Sequence, residues 1–173
     1  MATEEPKYTL IKKYETFEIR EYAPYLVAQT EVSGRFEEMG GKAFRILVKY
    51  ISGENQLQSS IQMTAPVIQE KGKRDSNSAT FSFLMPDTFT LDTLPLPLNK
   101  NIVLKEKAAK SVAVLRYSGG WGEEKYKENE AILIKALQDE NIKTIGEASF
   151  ARYNSPFALW FMRRNEIIIE VQR

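Results

Sequence analysis

Two residue types that carry much of protein chemistry are missing from this chain, which contains neither cysteine nor histidine. Without cysteine there is no disulfide, no thiolate nucleophile and no zinc site with sulfur ligands. Without histidine there is no Ser-His-Asp triad and no imidazole metal site. Any acid or base catalysis would therefore have to use carboxylates or tyrosines, and we expect no metal site.

The chain also lacks a large net charge and any apolar stretch of membrane-spanning length. The 24 Lys and Arg residues nearly balance the 23 Asp and Glu residues, which leaves a net charge of +1. This balance gives no long-range attraction toward nucleic acid or an anionic membrane, so we expect a small or neutral partner. No apolar run reaches the length of a membrane span, and the polar start MATEEPKYTL lacks the apolar core of a signal peptide. We expect a cytoplasmic monomer.

One stretch of the sequence occurs twice, first from Val27 to Asn55 and again from Val112 to Asn141. Each copy contains a short apolar strand, a Ser-Gly pair, an aromatic residue, a helix and an Asn. The Ser-Gly pairs are Ser33-Gly34 and Ser118-Gly119, and the aromatic residues are Phe36 and Trp121. A repeat of this length predicts two related halves, about 8–86 and 101–173, within a single domain of residues 1–173.

Apolar and polar residues alternate over residues 8–22, which predicts two half-buried strands. Ser33 is a plausible N-cap of the first helix, and Pro66 is expected at an edge or bulge because it cannot donate a ladder hydrogen bond. Further strands are predicted over 24–32, 61–70, 79–85, 101–107, 110–117, 143–153 and 166–171, helices over 36–52 and 123–140, and an extended linker over 86–99. This order predicts an antiparallel α+β domain, with both helices against a curved sheet.

The first helix is apolar around more of its circumference than a core-facing stripe requires. At 100° per residue its apolar residues cover an arc of about 200°, against about 160° in the second helix. Beside this arc, Lys42, Arg45 and Lys49 form a basic strip. The surplus apolar surface could receive a flat ligand whose carboxylates the strip would hold. The competing interpretation is a helix that is buried on two sides. Its basic strip would then be solvated and partly neutralised by an ion pair between Glu38 and Lys42.

The loop over residues 154–164 is unusually rich in aromatic residues. Loops are normally polar, so exposed Phe157, Trp160 and Phe161 would need a core, a ligand or a partner protein to cover them.

Four motifs taken together resemble the SOUL haem-binding protein family: FEIREY at 17–22, QMTAPVI at 62–68, YNSP at 153–156 and RRNEIIIEV at 163–171. The resemblance covers nearly the full chain. It implies two pseudo-symmetric halves that form a distorted antiparallel β-barrel flanked by two main helices. It also implies reversible, non-covalent binding of haem or another porphyrin in an apolar cleft beside the first helix.

The resemblance places the tetrapyrrole site by region. The positions that would line it are Phe36, Met39, Ala43, Ile46, Leu47 and Tyr50 on the helix, Met63 in the core or pocket wall, and Arg45, Lys49 or Arg164 near the propionates. Family members that ligate haem iron through a His do so on or near the first helix, and this chain has none. The iron would be left to Met39, Met63, Tyr50, water or nothing.

The favoured function is therefore a tetrapyrrole carrier or buffer without turnover. One alternative is a small-molecule hydrolase or effector-binding module of related fold, with Tyr153, Glu166 or Glu170 as its acid or base. Another is a protein-interaction module that docks through the aromatic loop. Binding is favoured over catalysis because no two carboxylates are paired at a diagnostic spacing.

Overall fold

The computed structural model describes residues 3–154 and 159–173, apart from the side chain of Trp160, and shows an antiparallel α+β protein. Within these residues nine strands and two α-helices follow in the order β1 (Tyr8–Lys13), β2 (Glu18–Tyr22), β3 (Tyr25–Ser33), α1 (Phe36–Ile51), β4 (Val67–Lys71), β5 (Ser78–Leu84), β6 (Ile102–Lys107), β7 (Lys110–Ser118), α2 (Glu123–Asp139), β8 (Thr144–Arg152) and β9 (Arg164–Val171). A 3₁₀ turn spans Trp160–Met162. The predicted fold class is confirmed.

The chain divides into two compact units. The first unit contains residues 1–6 and 24–108, and the second contains residues 7–23 and 109–173. In the first unit the strand order is β4-β5-β3-β6, and α1 packs against β3 and β5. In the second unit the order is β1-β2-β7-β9-β8, and α2 packs against β7 and β9.

The sequence repeat corresponds to a repeated topology. The series β3-α1-β4-β5 gives the order β4-β5-β3, and the series β7-α2-β8-β9 gives the equivalent order β8-β9-β7. Each Ser-Gly pair turns the chain from strand to helix, with φ of +136° at Gly34 and +114° at Gly119. A side chain is strained at such positive φ values, which explains why glycine stands at both turns.

The predicted division into halves at 86–101 differs from the observed units. It assigns β1 and β2 to the first half and β6 to the second, whereas β2 pairs with β7 and β6 pairs with β3. The linker over residues 86–99 consequently lies inside the first unit. The repeat covers only the strand, turn and helix, so it contains no information about the partners of the strands outside it.

Three local predictions are wrong. Ser33 is the last residue of β3 rather than a helix cap, and the residue before α1 is Arg35, which makes no side-chain capping hydrogen bond. Strand β4 begins only at Val67, after a cis Ala65–Pro66 peptide, because the ladder starts beyond the residue that lacks an N–H. All six residues of β1 are exposed, so this strand is not half-buried.

The core of the first unit is built on α1. Its buried residues are Met39, Ala43, Leu47, Tyr50 and Ile51, and they join a cluster that includes Phe81 and Phe83 of β5. The second unit has a smaller helix contribution, with Leu133 and Leu137 buried against strands β7 and β9. Each buried Leu, Ile, Met or Phe side chain among them contributes about 1.5–3 kcal/mol when it is fully removed from water. The wider apolar arc of α1 is therefore used largely by the protein's own core.

Candidate functional site

Four of the predicted ligand contacts lie in the core of the first unit. Met39 is 6% exposed, and Ala43, Leu47 and Tyr50 are fully buried. These side chains contact the protein's own strands in this structure, so a ligand would reach them only if α1 moved away from the sheet.

Tyr50 has a further constraint. Its hydroxyl donates a hydrogen bond to the carbonyl oxygen of Pro95 at 2.6 Å, and burial raises its pKa to about 12. The phenol is therefore protonated at neutral pH and is already engaged. This contact also holds the segment predicted as a linker, residues 86–99, within the first unit.

A different side of α1 remains on the surface. Phe44 is 38% exposed, although its ring meets the buried ring of Phe83 edge-on, with the centroids 5.7 Å apart. Gly40, Gly41 and Val48 lie within about 100° of the helix circumference around it. We call these four residues the α1 flank. Because two of them are glycines, a flat molecule can approach the backbone closely there.

Basic side chains adjoin the α1 flank. The Cβ position of Gly41 would lie 3.7 Å from Nη1 of Arg45, so this guanidinium stands directly beside the glycine surface. Lys49 is also exposed and follows Arg45 by one helical turn. Within residues 3–154 and 159–173 neither cation forms an ion pair. Both are therefore available to an anionic group.

The third member of the basic strip is engaged. The ammonium group of Lys42 donates to the carbonyl oxygen of Ser33 at 3.0 Å. Glu38 pairs with Arg35 at 2.6 Å instead of with Lys42, contrary to the competing interpretation of this helix. Phe36 and Ile46, two of the predicted ligand contacts, are half-buried and pack against the core of the first unit.

Met63 lies on the surface of the first unit, where it is 37% exposed. Its segment is fixed by two hydrogen bonds, from the Ile61 amide to the Ile51 carbonyl at 2.7 Å and from Thr64 Oγ1 to the Leu84 carbonyl at 2.6 Å. Met63 is thus not a core residue.

The family motifs of the second unit converge on one buried cluster. Both terminal nitrogens of Arg20 donate to Glu166, at 2.9 and 3.0 Å, and Arg164 reaches the same carboxylate at 3.2 Å. Arg20 also donates to the Tyr22 hydroxyl at 2.8 Å, and the Arg164 guanidinium lies 3.8 Å from the centroid of the Tyr153 ring. We call these five residues the Glu166 cluster. Arg164, predicted to hold a propionate, belongs to it.

The surroundings of the Glu166 cluster hold its carboxylate and its two phenols in fixed protonation states near neutral pH. Burial alone would raise the pKa of Glu166, but the hydrogen bonds and charge of Arg20, with Tyr153 and Arg164, lower it below its ordinary value. Burial raises the pKa of both Tyr22 and Tyr153. The carboxylate thus stays ionised and the phenols stay protonated at neutral pH. A general base works best with a pKa near the operating pH, and Glu166 does not meet this condition.

The neighbouring motif residue Asn165 supports the second Ser-Gly turn. It is fully buried, donates to the Gly119 carbonyl at 3.1 Å and accepts a hydrogen bond from the Trp121 indole at 2.7 Å. The Arg163 guanidinium lies 4.1 Å from the centroid of the same indole ring. The pairing of Arg20 with Glu166 could not be predicted from the motifs, because the two residues are far apart in sequence.

Part of the aromatic loop, residues 159–164, lies within the described residues. Leu159, Phe161 and Met162 are 59%, 56% and 66% exposed, so Phe161 lies largely on the surface. Phe157 and the side chain of Trp160 lie outside the described residues.

The residues that the structure describes contain no cluster of three or more acidic side chains arranged to hold a metal ion. No helix among them combines the length and the apolarity needed to cross a membrane.

Comparisons with known proteins agree with the motifs. The sequence model for the family described as SOUL heme-binding protein matches residues 3–170. Heme-binding protein 2 of Homo sapiens is 28% identical over 165 residues, which cover 87% of this chain and 80% of that protein.

Among solved structures, the C-terminal domain of EcmrR matches with a TM-score of 0.70 and 12% identity, over 91% of this chain and 97% of that one. A hydrolase from Listeria innocua matches with a TM-score of 0.62 and 11% identity, over 91% and 92% of the two chains. At these identities the likeness is one of fold alone. The family match over nearly the whole chain shows that this protein belongs to the SOUL heme-binding protein family.

Proposed function

We propose that this chain binds a tetrapyrrole such as haem reversibly, as a carrier or buffer, and that no histidine of the chain ligates the iron. The ligand site is the α1 flank, with the exposed cations Arg45 and Lys49 beside it. Membership of the SOUL family and the name of the human relative support the choice of ligand.

The observation that carries the proposal is the exposed ring of Phe44 on a helix flank whose Gly41 lies beside the Arg45 guanidinium. A porphyrin combines a flat apolar ring system with carboxylate groups at one edge, and this part of α1 combines the complementary features. Each 100 Å² of apolar surface removed from water contributes about 2.5 kcal/mol, before the costs of association. Charge-assisted bonds to the propionates fix the orientation of the ring.

Iron contributes little to affinity in this account. Met39 is in the core and the Tyr50 hydroxyl is engaged with Pro95. Of the three side chains considered for the iron, Met63 is the exposed one, and its thioether is a weak ligand. Bound haem would supply a flat apolar ring, two propionates and an iron atom with open coordination positions. The chain itself binds the ring and positions the propionates.

The hydrolase alternative finds less support. Its candidates Glu166 and Tyr153 belong to a cluster in which the carboxylate is matched by two guanidinium groups. A buried carboxylate held in this way stays ionised and has no poised proton to exchange.

A titration tests the proposal. Hemin is added to the purified chain, and binding is followed by the porphyrin absorbance and by quenching of tryptophan fluorescence. We expect saturation with one hemin per chain. Absence of saturation below about 100 μM, where only non-specific association is expected, would contradict the proposal.

A further inference from the structure

The sheet of the first unit has a second face, opposite α1, that the tetrapyrrole proposal does not use. Alternate residues of its strands point to this face, among them Gln29 and Glu31 of β3, Glu70 of β4, and Lys105 of β6. The face and the loops around it enclose a concavity of about 320 Å³. A volume of this size lies at the lower end of small-molecule sites.

The lining of this concavity is strongly basic. It contains two carboxylates, Glu31 and Glu70, and six cationic side chains, Lys71, Lys73, Arg74, Lys100, Lys105 and Lys107. The local surplus is therefore four positive charges, on a chain whose net charge is only +1. A quarter of its 24 basic residues line this one concavity. A concave surface with charge of one sign focuses the potential and attracts counter-ions.

The two carboxylates are already matched. Glu31 accepts hydrogen bonds from the Arg74 amide and the Ser78 hydroxyl, both at 2.8 Å, and these lower its pKa. Glu70 pairs with Lys107 at 3.5 Å.

Three of the cations are left without such a match. Among the described residues, Lys73, Lys100 and Lys105 form no ion pair with a carboxylate. They come from the loop after β4, the segment before β6 and β6 itself, so they approach the concavity from separate parts of the chain.

The floor of the concavity is polar. Gln29 of β3 belongs to this lining, and its Oε1 atom is buried without a hydrogen-bond partner in the described part of the chain. Val103 is the one apolar residue in the described lining. Such a floor suits a ligand that offers hydrogen-bonding groups and does not suit a porphyrin ring.

We propose that this concavity binds a small polyanion that carries two or more phosphate groups. The surplus of four charges matches a ligand such as a nucleoside triphosphate or an inorganic polyphosphate in charge, and the concave shape favours a compact ligand over an extended polymer or a membrane surface. Lys73, Lys100 and Lys105 bind the phosphate oxygens, and Gln29 donates an amide hydrogen to the ligand from the floor.

Tripolyphosphate is the probe that tests the proposal, by isothermal titration calorimetry at low salt. We expect saturable binding with a Kd below about 100 μM, and an affinity several-fold lower at high salt because the charges are partly exposed. The double variant Lys100→Glu, Lys105→Glu should weaken binding at least about tenfold. The matched control is Lys125→Glu, Lys143→Glu in the second unit, which changes the net charge equally and should leave the Kd unchanged.

Further measurements distinguish this site from the tetrapyrrole site and from binding of a nucleic acid or a membrane surface. The Lys100→Glu, Lys105→Glu variant should bind hemin as the unsubstituted chain does, so loss of one proposed site does not imply loss of the other. Circular dichroism and the urea midpoint verify that both double variants are folded. The proposal is overturned by absence of saturation, by an equal loss in the control variant, or by binding of a single-stranded oligonucleotide or phosphatidylserine vesicles without binding of tripolyphosphate.

Discussion

Arg20 and Glu166 form two parallel hydrogen bonds, Nη1 to Oε1 at 2.9 Å and Nη2 to Oε2 at 3.0 Å, although they lie 146 residues apart in sequence. They stand on β2 and β9, which pair with opposite sides of β7 and not with each other. The bridge therefore joins two strands that share no ladder hydrogen bonds, and both of its side chains are buried.

We expect Glu166→Ala to lower the free energy of unfolding by about 3–5 kcal/mol, because it leaves the buried Arg20 guanidinium without its principal partner. Urea unfolding followed by circular dichroism measures the change. The double variant Arg20→Met, Glu166→Leu is the control and should recover most of the loss, since it removes both charges together. A loss below about 1 kcal/mol in Glu166→Ala would indicate a solvated pair.

The same carboxylate makes stability depend on pH. The pKa of Glu166 is lowered on folding from an unfolded value near 4.5, so its contribution is fully present above that pH and is lost as the pH falls through the folded pKa. We expect the difference in unfolding free energy between the unsubstituted chain and Glu166→Gln to be constant near neutral pH and to shrink below about pH 4.5. A difference that grows on acidification would show that the pKa is raised instead.

Much of the fold could be predicted from the sequence, because the signals are local. The period of the apolar residues predicted helices over 36–52 and 123–140, and the structure has α1 at Phe36–Ile51 and α2 at Glu123–Asp139. The apolar arc of α1, which contains its buried residues, followed from its period. What could not be predicted was the choice of partners, as for β2 with β7 and β6 with β3, since strand pairing depends on packing between distant parts of the chain.

The candidate site, like the fold, could be predicted only in part from the sequence. The sequence located an apolar helix with Arg45 and Lys49 beside it, but it could not separate the part of the arc that packs inward from the part that faces solvent. Leu47 and Tyr50 proved to be core, whereas Phe44, which was on the arc but outside the predicted site, is exposed. The distinction depends on where β5 lies relative to the helix.

Phe44→Glu tests the α1 flank directly. A carboxylate at this position removes apolar contact and repels the propionates, so we expect the Kd for hemin and for protoporphyrin IX to rise at least about tenfold. Absorbance titration measures both. Ile134→Glu on α2 is a matched control, because Ile134 is 37% exposed and Phe44 is 38% exposed. Equal weakening by the two substitutions would place the ligand elsewhere.

The role of Arg45 and Lys49 can be isolated by changing the ligand. We expect the double variant Arg45→Ala, Lys49→Ala to weaken protoporphyrin IX binding several-fold, because the propionates lose their charge-assisted partners. Binding of protoporphyrin IX dimethyl ester, which carries no propionate charge, should be unaffected by the same variant. If both ligands lose affinity equally, the two residues act through the structure of α1 and not through the propionates.

The most direct test of the account is the ratio of the dissociation constants for hemin and metal-free protoporphyrin IX, measured by fluorescence quenching under identical conditions. Binding through the α1 flank, without a histidine ligand, predicts a ratio within about threefold of one, because the iron then contributes little to the binding free energy. For scale, a factor of ten in the ratio corresponds to about 1.4 kcal/mol. A hemin affinity a hundredfold or more above that of the metal-free porphyrin would contradict it, because the iron would then be ligated by the protein.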